Sequence, residues 1–148
     1  MKFYIRLTAI MLSLLFVCLC LFACEKEKKQ GKVIVTEKEF WLDEYGKVTL
    51  SLNVKGKIKN AGDVDVKNIV VTGQCKTCGE VLISGRWFVS DTEKLPEQKD
   101  IINFLPAGAE EQFQFKGIAY FFTKAGETPS ANPEGLEVFI ESFEVVEK

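Results

Sequence analysis

Two cysteines separated by two residues, Cys75 and Cys78 in QCKTCGE, are the first chemistry the chain offers. That spacing serves a redox dithiol, half of a metal site, or a disulfide closing a short loop. A redox pair wants a helix whose N-terminus lowers the pKa of the first thiol. The flanking segments here, Val64–Gly73 and Glu80–Ser90, carry strand patterns instead, and Lys76 and Glu80 leave the local charge mixed. Structural zinc wants four ligands. The chain has no histidine and no second CxxC, so carboxylates such as Asp63 or Glu80, or a second molecule, would have to complete a site. A covalent haem would need histidine where Gly79 stands. The pair is therefore read as a disulfide closing a hairpin turn. A thiol-redox or metal-binding protein acting through Cys75 and Cys78 is the alternative. With no histidine there is no Ser-His-Asp set, and no catalytic residue, metal or cofactor is assigned.

Compartment decides how those thiols behave, and the N-terminus speaks to compartment. Lys2 and Arg6 precede an uncharged apolar run, Leu7 to Ala23, which is the pattern of a secretory leader. Leu21-Phe22-Ala23-Cys24 follows. This tetrad resembles the bacterial lipobox, with a branched aliphatic residue three before the cysteine and a small residue just before it. Phe22 departs from the modest residue usual between them. The resemblance implies cleavage before Cys24, lipidation of Cys24, and a lipid-anchored, extracytoplasmic protein at the cell membrane or outer membrane. Outside the cytoplasm a disulfide forms and persists. Lys2 and Arg6 are the only charges in residues 1–23, so of 19 basic and 21 acidic residues the remainder keeps 17 and 21, a formal charge of −4. Such a balance gives no footprint for nucleic acid and no electrostatic grip on an anionic bilayer. The expected organisation is a signal peptide over 1–23, a lipidated polar tether over 24–31, and one domain over 32–148.

The elements that must position the cysteines read with period two. Val48, Leu50, Leu52, Val54 and Ile58 alternate with Thr49, Ser51, Asn53, Lys55 and Lys57, the pattern of a strand with one buried face. Gly56 interrupts the apolar face, as a bulge or a close approach would. Further strands are read over Val33–Leu42, Val64–Gly73, Glu80–Ser90, Glu110–Phe122 and Leu136–Glu147. Asn60 and Gly62 are read as turn residues tolerant of positive φ. Six or seven strands without a helix predict an antiparallel immunoglobulin-like β-sandwich of about seven strands. Two long loops, 91–100 and 123–135, interrupt it.

GKIKNAGDVDVKNIVVTG, EVLISGRWFVS and LPAGAEEQFQF resemble the FxLYD-type domains of bacterial and archaeal surface lipoproteins. The likeness rests on Gly56, Ile58 and Asn60 at a strand end and on Leu105, Pro106, Gly108, Phe113 and Phe115 at a turn and strand. It implies an immunoglobulin-like sandwich. In place of that family's aromatic-Asp segment this chain has VVTGQCKTCG. The whole reading is a non-catalytic binding module of the cell envelope, held to the membrane by lipid on Cys24. Its protein or envelope partner would be met through an edge strand, the 123–135 loop or the CKTCG hairpin. Trp87 is read as core; Trp41, Tyr120 and Phe122 are the candidate partner surface.

Overall fold

The computed structural model describes residues 30–89, 94–124 and 127–147. Residues 1–23 and Cys24, and with them the leader and lipidation readings, lie outside it. The described residues form seven strands: β1 (Val33–Glu44), β2 (Thr49–Asn60), β3 (Val66–Cys75), β4 (Arg86–Phe88), β5 (Lys99–Leu105), β6 (Glu110–Phe122) and β7 (Leu136–Val145). They build two antiparallel sheets, ordered β1-β2-β6-β4 and β5-β3-β7. The architecture is thus the expected seven-strand, all-β sandwich.

The inward residues of β2, β3 and β6 make the core. Leu52, Val54, Ile58, Val66, Ile69, Val71, Phe113 and Phe115 are at most 2% exposed. Each buried aliphatic or aromatic side chain contributes roughly 1.5–3 kcal/mol relative to exposure, so these three strands hold the two sheets together. Gly56 lies against the β1 irregularity between Val35 and Glu37. A Cβ there would sit 2.0 Å from the Glu37 carbonyl oxygen, which is the close approach its place in the apolar row implied.

Two strand readings are corrected. Only Arg86–Phe88 of the expected Glu80–Ser90 strand is extended; Val81, Leu82 and Ile83 are exposed. Gly85, at φ +76°, reverses the chain before the short strand can pair with β6, so the alternation across Ser84-Gly85 never becomes one strand. Conversely, the end of the 91–100 loop is a short 3₁₀ turn (Pro96–Gln98) leading into β5.

The strands also define two ends. At one, Asn60 ties two turns together: Asn60 Nδ2 donates to the carbonyls of Val64 and Leu105, and the Gly62 amide donates to Asn60 Oδ1. The backbone pairs as well, Asn60 N to Ala109 O and Gly108 N to Asn60 O. The two segments that carry the FxLYD resemblance therefore meet through one buried side chain. Gly62 has no positive φ here. What requires glycine is crowding, since a Cβ would lie 2.4 Å from the Gln30 carbonyl oxygen. Positive φ falls on Gly108, at +78°. The chain also enters at this end. Gln30 donates its amide to Asp63 Oδ1, and Gly31 lies against Phe143, Val145 and Val66. The last two residues of the expected tether are thus part of the domain.

Candidate functional site

The other end is where Cys75 and Cys78 lie. Three connections converge there: the β1–β2 turn, the segment from Lys76 to Gly85, and the stretch between β6 and β7. Backbone bonds join them. Thr123 N donates to Val48 O, Gly85 N to Phe122 O, and Lys76 N to Gly135 O. Side chains add to this. The Thr77 hydroxyl donates to the Glu134 carbonyl, and Trp87 Nε1 donates to Ala131 O at 3.3 Å. The CKTCG segment does not close a hairpin as expected, because β3 and β4 on either side of it belong to different sheets; it and the described residues of the 123–135 loop, separate candidates in the sequence, share one surface.

Cys75 and Cys78 are disulfide-bonded, with Cα atoms 5.5 Å apart. Cys75 closes β3 and is buried, while Cys78 is half-buried against the core. The bridge turns the chain so that Gly79 pairs with the outer edge of β4, its amide donating to Trp87 O and its carbonyl accepting from Val89 N. The staple therefore covers a sheet edge. Beside it Lys76 Nζ bonds Glu137, and Gln74 Nε2 donates to Glu137 Oε2 at 2.9 Å. These two donors hold the Glu137 carboxyl below its ordinary pKa. Among the described residues no cluster of three or more His, Cys, Asp or Glu is arranged to hold a metal ion.

Trp41, Tyr120 and Phe122 share the outward face of the first sheet. Trp41 pairs with Asn53, Tyr120 pairs with Ser51, and Phe122 follows two residues on. Tyr120 is not a surface residue, however. It is 7% exposed, packed between Tyr45 and Phe88 with ring centroids 5.1 and 5.7 Å away. Burial raises the pKa of its phenol, with Tyr45 and Glu97 acting in the same direction and Gln98 opposing. Trp41 and Phe122 are half-buried. Trp87 packs on Phe121, 5.2 Å between centroids, as a core residue would.

The polar face of β2 is covered here too. Asn53 is fully buried and satisfied: Nδ2 donates to Asp43 Oδ2, and Oδ1 accepts from Ser51 and from the Gly117 amide. Trp41 Nε1 donates to the same Asp43 oxygen. The exposed ring on this face is Tyr45, 54% exposed, which sequence reasoning did not single out. Its signal was its place in the EYGK turn between two strands. Tyr45, Val48, Val81, Leu82 and Ile83, half of the exposed large apolar side chains among the described residues, all lie at this end. Comparison with protein-family models, with curated proteins and with solved structures gave no match.

Proposed function

We propose that this chain is a lipid-anchored, extracytoplasmic binding module of the cell envelope. In this reading the lipobox-like leader ends at Cys24, lipid on that cysteine holds the membrane, and an FxLYD-like sandwich presents its far end to a protein or envelope partner without catalysis. The observation that supports it most is the opposition of the two ends. The chain enters the domain at Gln30 and Gly31, against the 60–65 turn. Half of the exposed large apolar side chains among the described residues, and the disulfide-braced loops, gather at the other end, one strand length away. A 12-residue strand such as β2 spans about 40 Å. An anchor at one end thus leaves the apolar end free to meet something else, and clustered apolar exposure marks an interaction site more than scattered residues do.

Metabolic labelling with a fatty-acid analogue tests the anchor: the full chain takes the label and Cys24→Ser does not. Cross-linking the lipidated chain in intact envelopes tests the surface. Tyr45→Ser lowers partner recovery, whereas Ile34→Ser at the opposite end leaves it unchanged. Equal labelling of the Cys24→Ser chain overturns the anchor, and equal recovery by both variants overturns the surface.

A further inference from the structure

We propose that the Cys75–Cys78 bridge is a thiol-reversible latch on the outer edge of β4. Oxidised, it covers that edge; reduced, it opens the edge while the sandwich stays folded. The latch lies at the same end as the proposed contact surface and acts whether or not a partner binds there. Gly79, the residue after Cys78, is the cover. Its amide donates to Trp87 O at 3.2 Å, and its carbonyl accepts from Val89 N at 2.9 Å. β4 pairs with β6 on its other side, and among the described strands none lies beyond it. Release of Gly79 therefore leaves a bare sheet edge, which is a template for an incoming strand. The same turn reaches the second sheet, because the Thr77 hydroxyl donates to the Glu134 carbonyl just before β7.

Reversibility depends on how firmly folding holds the bridge. Folding favours the disulfide over the dithiol by the same factor as the disulfide stabilises the fold, since the two equilibria close one thermodynamic cycle. The bonded residues are three apart, so the bridge takes little freedom from the unfolded chain. Folding in turn adds little to its resistance to reduction. Access points the same way. Cys75 is 7% exposed and Cys78 is half-buried, which directs an incoming thiolate to the Cys78 sulfur. The reductant is a dithiol. One of its thiolates attacks Cys78 Sγ, the S–S bond breaks, and the electron pair leaves on Cys75 Sγ. The second thiolate then attacks the dithiol's own sulfur in the mixed disulfide and frees Cys78. The dithiol ends as a cyclic disulfide, and its two protons end on the two cysteines. The Glu134 carbonyl oxygen, 3.8 Å from Cys75 Sγ, is placed to accept from the freed Cys75 thiol.

Equilibration of the full chain, in non-ionic detergent, with reduced and oxidised dithiothreitol tests the latch. Alkylation and mass spectrometry of the peptide that carries Cys75 and Cys78 read their redox state. The dithiol-to-disulfide ratio that half-reduces the pair is expected to differ between native buffer and concentrated urea by no more than about thirtyfold, the factor equivalent to the chain-entropy gain for so short a loop. In native buffer the reduced chain keeps a cooperative urea transition. Its amides at Gly79 and Val89 exchange about tenfold faster or more, beyond any change in the middle of β2, and reoxidation reverses this. A difference above roughly a thousandfold between native buffer and urea overturns the latch, because folding would then hold the bridge firmly. Unfolding on reduction, or Gly79 and Val89 amides that merely keep pace with β2, overturns it as well. The contact-surface reading is judged separately, by partner recovery with Tyr45→Ser, and survives the fall of the latch.

Discussion

Single side chains decide whether the two ends hold their shape. Asn60 is fully buried and answers two carbonyls and one amide. Alanine there leaves those backbone groups without partners, at roughly 1–3 kcal/mol for each that stays dry. Asn60→Ala is therefore expected to lower the unfolding free energy by about 2–4 kcal/mol, read as a fall in urea midpoint at constant slope. A change below about 0.5 kcal/mol would mean that water replaces the side chain. Tyr120 gives a pH-dependent prediction. Its raised pKa means that the folded phenol stays protonated after the unfolded chain, with an ordinary value of about 10, has begun to ionise. The stability linked to that proton is whole below pH about 10 and is lost as pH rises through the folded value. Tyr120→Phe consequently narrows its stability gap to the unaltered protein above pH 10. A gap that stays constant with pH would remove Tyr120 from the alkaline limb.

At the scale of elements, strands that alternate through most of their length were legible even where a bulge interrupts them, as at Gly117 in β6, and a strand built of apolar doublets was not. β6 was bounded correctly from sequence because Phe113, Phe115, Ala119 and Phe121 fall on one face. β5 was missed. Its apolar residues come as the doublets Ile101-Ile102 and Phe104-Leu105, which do not alternate. The structure explains the doublets: β3 opposite has Asn68 at φ +51°, and Asn68 is absent from the pairing register between the two strands. Ile102 and Leu105 turn inward while Ile101 and Phe104 stay 60% and 52% exposed. The far end was half legible. The loops were named, but the bonds that join them use the carbonyls of Ala131, Glu134 and Gly135, which any residue supplies. The burial pattern of β5 makes a direct prediction. Ile101→Lys shifts stability by less than about 0.5 kcal/mol and reduces aggregation on refolding, since charge blunts an edge strand. Ile102→Lys places a charge in the core and costs more than about 4 kcal/mol. Similar urea midpoints for the two variants would refute the inward and outward assignment.

For the molecule as a whole, the disulfide matters more for where it acts than for how much it stabilises. A bridge between residues three apart removes little freedom from the unfolded chain, about 2 kcal/mol in the chain-entropy account. Most core residues come from β2, β3 and β6, and the bridge contributes Cys75 at the end of β3 with Cys78 packed against it. What the bridge fixes is the turn that brings Gly79 onto the β4 edge and sets Lys76 and Thr77 against residues 134–137. Global and local stability should therefore separate. In the double variant Cys75→Ser, Cys78→Ser the urea midpoint falls modestly and unfolding stays a single transition. Amide exchange at Gly79, Val89 and Lys76 accelerates far more than that loss predicts, because these amides are then released by local opening. Amides in the middle of β2 slow or quicken only with the global change. If the far end is the contact surface proposed above, the same variant recovers less partner while remaining folded, and reductant has the same effect on the unaltered protein. Uniform acceleration across all amides would instead make the bridge a general stabiliser with no special hold on the contact surface.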